Sequence, residues 1–147
     1  MTNKAITKTE LYFSTTNERG TLATWANGLR ENGVNIEAIC AYTTDDNTAW
    51  FRCITSDNAK AKSYFTEKGY NVAENNVVCW TAANTVGNIF TATSAIAEKG
   101  IDVSYTYAGC TTDNNTAYVV FNTTNVTDTE TVLNACGTTD GCGCCNG

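Results

Sequence analysis

The sequence predicts an α+β fold built from two βαββαβ repeats, the second lacking its last strand, and three observations carry that prediction. The hairpin stretch TTDDNTAWF, from Thr43 to Phe51, returns as TTDNNTAYV, from Thr111 to Val119. The chain before each hairpin also returns: Asn17 aligns with Asn84, Gly20 with Gly87, Leu22 with Ile89, Leu29 with Ile96 and Gly33 with Gly100, all 67 positions on. Within each half, short apolar runs of strand character alternate with apolar residues at helical spacing. Self-similarity on this length scale constrains the fold before any single motif does. The offset grows to 68 at the hairpin, so the second copy gains one residue in the strand between, read as a bulge or longer turn near Ala108 to Cys110.

The elements follow in order. LYFST from Leu11 and VVCWT from Val77 are apolar, β-rich runs that read as the first strand of each half. Leu22, Trp25, Ala26 and Leu29 fall on one helical face, as do Ile89, Thr93, Ile96 and Ala97, and Gly33 and Gly100 stand where those helices end. NIEAICAY and DVSYTYAG are second strands, and the Asp- and Asn-rich turns lead into AWFRCIT and AYVVFNT, because Asx residues tolerate left-handed backbone angles. Ser56 or Asp57 caps a second helix running through Lys68, with Ala61, Tyr64 and Phe65 on one side. Its counterpart spans Asn125 to Cys136 with Val126, Val132, Leu133 and Cys136 on one face. YNVAE from Tyr70 closes the first half, and nothing like it follows Cys136. The first strand of the second half is therefore left with an unpaired edge. The arm Thr2 to Lys8, the other half or a neighbouring chain must cover it, and homodimerisation is one consequence.

Composition excludes several function classes. The chain has 147 residues, 42% of them hydrophobic and 16% charged, which is a globular composition. A net charge of -6 with only nine scattered Lys and Arg argues against nucleic acid as a partner. No apolar run approaches a bilayer span and the start MTNKAITKTE has no apolar signal core, so the expectation is a cytoplasmic protein with no membrane partner. Without a signal peptide, the Asn-x-Thr triplets at Asn114, Asn122 and Asn125 carry no weight as glycosylation sites. The absence of His removes the commonest general base and every Ser-His or Cys-His nucleophile pair. Carboxylates such as Glu10, Glu31 and Glu37 pair in no motif. The expectation is a protein that is not an enzyme.

A binding site is sought at the turn between first strand and first helix, NERGTL and its twin NTVGNI. A glycine there lets the backbone approach a ligand, and the free amides at the helix start attract a carboxylate. The Asn three residues earlier offers a donor and an acceptor to a zwitterion, and it suits equally well the capping of its own helix. The aromatic residues Phe13, Trp25, Tyr42, Trp50 and Trp80 are read as core rather than pocket lining.

The run Asn17-x-x-Gly20-x-Leu22, with Gly33-Val34-Asn35-Ile36 one helix later, resembles the signature of the ACT domain family. Asn84-x-x-Gly87-x-Ile89 with Gly100-Ile101-Asp102-Val103 is a looser second match. The resemblance spans about Lys8 to Cys136 and implies two ferredoxin-like repeats, 8–74 and 75–136, forming an extended antiparallel sheet with helices on one face; the Gly-, Thr- and Asp-rich composition of 137–147 reads as a flexible Cys-rich tail. It further implies a stand-alone module that binds a free amino acid near these turns and reports on it to a metabolic enzyme. The ligand-contacting positions carried over are Asn17, Arg19, Gly20, Thr21, Leu22 and Asn35, and again Asn84, Val86, Gly87, Asn88, Ile89 and Asp102. Arg19 and Val86 stand where the family often has Pro, and Asp102 stands where the first copy has Asn35, so the Asn17 site is the favoured one.

The tail CGTTDGCGCCNG supports a second reading. Cys136, Cys142, Cys144 and Cys145 place four thiols within ten positions, a donor set for zinc or another soft metal or a redox-active thiol cluster, with the repeats then acting only as scaffold. The spacing is not that of a zinc ribbon. Otherwise no cofactor is expected. Cys40, Cys53, Cys79 and Cys110 sit in or beside strands and are read as small apolar residues without chemistry.

Overall fold

The computed structural model describes residues 3–136. Its elements in order are β1 (Lys4–Thr16), α1 (Thr21–Glu31), β2 (Ile36–Asp45), β3 (Thr48–Thr55), α2 (Asn58–Glu67), β4 (Ala73–Ala83), α3 (Asn88–Glu98), β5 (Val103–Cys110), β6 (Thr116–Thr123) and α4 (Val126–Ala135). Among the described residues they form two compact units: Thr9–Asn75, and the arm through Lys8 together with Asn76–Cys136. The fold is α+β, with antiparallel pairing of β1 with β3, β2 with β3, β4 with β6 and β5 with β6.

In the first unit, alternation along each strand sends one set of side chains to a single core. Leu11 and Phe13 of β1 sit opposite Cys53 and Phe51 of β3, and all four are buried with Trp25 and Leu29 of α1 and Phe65 of α2. Phe13 is the hub: the rings of Trp25, Phe51, Phe65 and Tyr70 lie 4.6–5.9 Å from its own. The helices approach closely at Gly28, where an added Cβ would lie 1.9 Å from the Tyr64 ring. Asp57 caps α2 by accepting from the Lys60 amide at 3.1 Å, while Ser56, the other candidate cap, instead accepts from the Asn35 amide.

In the second unit the order runs β5-β6-β4, and β1 lies on the free side of β4. The part of β1 that belongs to this unit is the arm up to Lys8. Asn134 of α4 holds it with two hydrogen bonds: the Ala5 amide donates to Oδ1 at 2.8 Å, and Nδ2 donates to the Ala5 carbonyl at 3.0 Å. The amide and hydroxyl of Thr7 both donate to Glu130. Ala5 is buried in a core with Val78, Trp80, Val119, Phe121, Ile96 and Leu133. Among the described residues the second repeat has no strand after α4, and the arm takes that place. The edge that argued for a homodimer is closed within the chain.

Two details differ from the sequence reading. YNVAE and VVCWT were expected as separate strands, but Ala73–Ala83 is one continuous strand that begins in the first unit and continues into the second. No Gly or Pro lies between Glu74 and Val77 to break it, and Tyr70 and Val72 instead pack on the first core. The extra residue of the second copy was expected in the strand before the hairpin. Cys110 pairs with Ala117 as Thr43 pairs with Ala49, so the residue lies in the turn that follows. That turn is closed by the Thr111 amide on the Thr116 carbonyl at 2.9 Å, with Asn114 at φ 59°. No helix among the described residues is long and apolar enough to cross a membrane.

Candidate functional site

The turn between β1 and α1 starts the helix without a side-chain cap. Gly20 occupies the N-cap position at φ 90°, a left-handed conformation that glycine adopts without strain, and its side is open, with nothing within 4 Å of an added Cβ. The amides of Leu22 and Ala23 have no acceptor among the described residues, as expected of a first helical turn. Gly87 repeats the geometry at φ 85°.

Asn17 is therefore not the cap of its helix. Its amide donates to the Asn47 carbonyl at 2.8 Å and its Nδ2 to the Asp46 carbonyl at 3.4 Å. Asn84 does the same, with its amide on Asn115 at 2.9 Å and its Nδ2 on Asn114 at 3.0 Å. Each signature Asn staples its strand-to-helix turn to the tip of the repeated hairpin. Turn and hairpin recur together because one satisfies the other's backbone groups.

Beside the first turn lies a cavity of about 230 Å³. Asn17, Gly20, Thr21 and Leu22 form one wall, and Tyr42, Thr43, Ala49 and Phe51 of the β2–β3 hairpin face them. The structure thus brings together four of the residues the family resemblance selected. Arg19 is exposed and does not line the cavity. Asn35 lies at the other end of α1, bordering a separate cavity of about 370 Å³ with Arg30 and Ile36, and its amide is held by Ser56. Phe51 is a lining residue that motif reasoning missed, and Tyr42, read from the sequence as core, is 39% exposed and borders the cavity. Strand alternation places Phe51 on the helix side together with Ala41, its partner on β2, whereas Tyr42 pairs with Trp50 and its hydroxyl accepts from Arg52 at 3.1 Å, on the other face of the sheet. Trp25, Trp80 and Phe13 are fully buried, as core positions.

The second turn presents a different surface. The Asn88 side chain donates to the Ala83 carbonyl at the end of β4 at 2.6 Å. Val86, Ile89 and Phe90 are exposed. Asp102 stands where Asn35 does, its amide held by the Thr124 hydroxyl at 3.1 Å.

Cys40 and Cys53 are poor nucleophiles. Burial, with a smaller contribution from Glu10, pushes the Cys53 thiol up to about 12, and burial raises that of Cys40. Cys136 is the half-buried C-cap of α4. Cys142, Cys144 and Cys145, the other proposed metal ligands, lie outside the described residues. Among the described residues, no group of three or more His, Cys, Asp or Glu side chains could hold a metal ion.

No curated protein matches the chain. Among solved structures it is similar to protein BT0572 from Bacteroides thetaiotaomicron, at 24% identity over 88% of each chain with a TM-score of 0.80. It is also similar to the regulatory subunits of aspartate kinase from Thermus thermophilus and Thermus flavus. These share 10% and 12% identity, covering 88% and 92% of this chain and 93% and 94% of theirs, with TM-scores of 0.61 and 0.62. The family model for the ACT domain pair matches residues 6–136, and with that match over most of its length the chain belongs to the ACT domain pair family.

Proposed function

We propose that the chain is a regulatory module that acts by binding rather than catalysis. It takes a free amino acid at the turn of the first repeat and passes that occupancy to a metabolic enzyme or to its own assembly. What supports the reading is the cavity beside Gly20: unpaired helix-start amides for a carboxylate, the Asn17 Oδ1 with no donor among the described residues, and an apolar floor at Phe51. Its volume of about 230 Å³ is below the usual range for drug-sized pockets, which limits the ligand to the size of a small amino acid. Such a ligand, with about ten heavy atoms at ~0.5 kcal/mol each, binds near ~0.2 mM, a sensing range. Its effect on a partner is a coupling free energy between two arrangements that it binds unequally. The resemblance to regulatory subunits of aspartate kinase supports an enzyme as that partner. The second turn is proposed as the weaker site, since the Asn88 side chain is tied to the Ala83 carbonyl.

Thermal unfolding of the reduced chain against single amino acids tests the reading. At ~10 mM, a ligand of ~0.2 mM affinity adds ~2.3 kcal/mol, a rise of several degrees. The expected result is a rise with one amino acid or a related few, lost in Asn17→Ala and Gly20→Ala when each variant is compared with its own unliganded midpoint. A panel in which no amino acid moves the wild-type midpoint rejects the proposal.

A further inference from the structure

Each hairpin tip carries a carboxylate at the same place in the repeat, Asp45 in the first copy and Asp113 in the second, 68 positions on. Oδ1 of Asp45 accepts from the amides of Asn47 and Thr48, both at 2.8 Å. Oδ1 of Asp113 accepts from the Asn115 amide at 3.1 Å and from the Thr111 hydroxyl. That hydroxyl in turn accepts from the Thr116 amide at 3.2 Å. The amides two and three positions after the Asp are thus met in both copies, directly by Asp45, and by Asp113 with Thr111 as a relay. The Thr111 hydroxyl, followed by the Asn115 amide, holds the Asp113 carboxyl below the ordinary carboxylate range.

These are the two peptide units that serve the signature Asn. A trans peptide is planar, with its N–H and C=O pointing to opposite sides, so a bond that fixes the N–H also aims the C=O. The unit joining Asp46 to Asn47 gives its N–H to Asp45 and its C=O to Nδ2 of Asn17. The unit joining Asn47 to Thr48 gives its N–H to Asp45 and its C=O to the Asn17 amide. In the second copy the units after Asn114 and Asn115 serve Asn84 in the same way. The second turn is one residue longer and holds Asn114 at φ 59°, yet it presents the same pair of carbonyls. The carboxylate is what the two different turns have in common.

We propose that Asp45 is a positioning residue for Asn17, and Asp113 for Asn84. By fixing these peptide planes, Asp45 sets which end of the Asn17 side chain is spent on the hairpin. Nδ2 goes to the Asp46 carbonyl, and Oδ1, an acceptor, is left to meet a donor group of a ligand. With that carbonyl out of place the side-chain amide turns over freely and offers Nδ2 as readily. Asp45 does not line the cavity, so it acts through Asn17 alone. The consequence for binding rests on the reading of the first turn proposed above; the positioning does not, and its test contains no ligand.

NMR of the full chain with Asp45→Ala, Asp45→Asn and Asp113→Ala tests it. All three substitutions fall on exposed side chains, and an unchanged dispersion of the spectrum checks that the fold is kept. In Asp45→Ala the Asn17 amide is expected to exchange roughly tenfold faster, with its Nδ2 proton shifts moved toward those of a free amide and Asn84 unchanged. Asp45→Asn keeps an Oδ1 acceptor and is expected to hold Asn17 exchange within about threefold of the parent. Asp113→Ala should move Asn84 and leave Asn17. An Asn17 that Asp45→Ala does not move overturns the proposal. Equal acceleration at Asn17 and Asn84, which marks general loosening, overturns it too, as does an Asp45→Asn chain as disturbed as Asp45→Ala. A chain that passes this test and binds no amino acid keeps the positioning and loses only the reading of the ligand.

Discussion

Glu10 of β1 is fully buried, and the guanidinium of Arg52 on β3 meets it at 3.1 Å while lying 5.0 Å over the Tyr12 ring. Removing the cation leaves a buried carboxylate without that partner, so Arg52→Ala is expected to cost about 3–5 kcal/mol in urea unfolding. Replacing both residues with Met is expected to cost far less, because a buried pair is offset by its own desolvation. The sequence showed Glu10 as one more carboxylate in no motif, since its partner is 42 positions away. Cys53 gives a pH signature. Its thiol is raised from 9.0 to about 12, chiefly by burial. The folded state then keeps a proton that the unfolded chain releases, so the contribution is fully present below pH 9.0 and is lost as pH rises toward about 12. The slope reaches at most about 1.4 kcal/mol per pH unit. Unfolding midpoints measured across this window should fall less steeply in Cys53→Ala.

Helix α1 illustrates how an element's sequence reads differently once its neighbour is known. Gly28 looks like a weak point in a helix, worth about 1 kcal/mol to replace with Ala. The structure reverses the sign, because the Cβ would lie 1.9 Å from Cζ of Tyr64 on α2. Gly28→Ala is expected to destabilise by about 1–3 kcal/mol. In a Tyr64→Leu background the same change should cost less, and the difference measured in a double-mutant cycle is the interhelical contact. The caps were legible to within one residue: Asp57 and Asn125 both accept from the amide three positions on. The role of Asn17 was not, because helix capping and hairpin stapling use the same side chain. Only the location of the Asp46 and Asn47 carbonyls decides between them.

At the scale of the molecule, the two units exchange strand ends: the start of β1 completes the second, and the start of β4 belongs to the first. Asn134 is the contact that tests this, since one side chain satisfies both backbone groups of Ala5. Asn134→Ala is expected to destabilise the second unit by about 1–3 kcal/mol, as two buried backbone groups lose their partner. It should also raise hydrogen exchange along the arm through Lys8 more than along β3. Equal protection of the arm in the variant and the parent would show that the strand holds without α4.

The repeat, the order of strands and helices and the positions of the two glycine turns were all determined by the sequence. Each rests on local periodicity or on residues with special backbone freedom, and such signals need no knowledge of what lies across the chain. What covers the free edge of β4, which residue meets Glu10, where the extra hairpin residue goes and which side chains surround Gly20 were decided only in three dimensions. Ala41 and Phe51 border the first turn only because strand pairing sets them side by side. Contacts of this kind depend on register and on distances between residues far apart in the chain, and neither leaves a trace in local sequence.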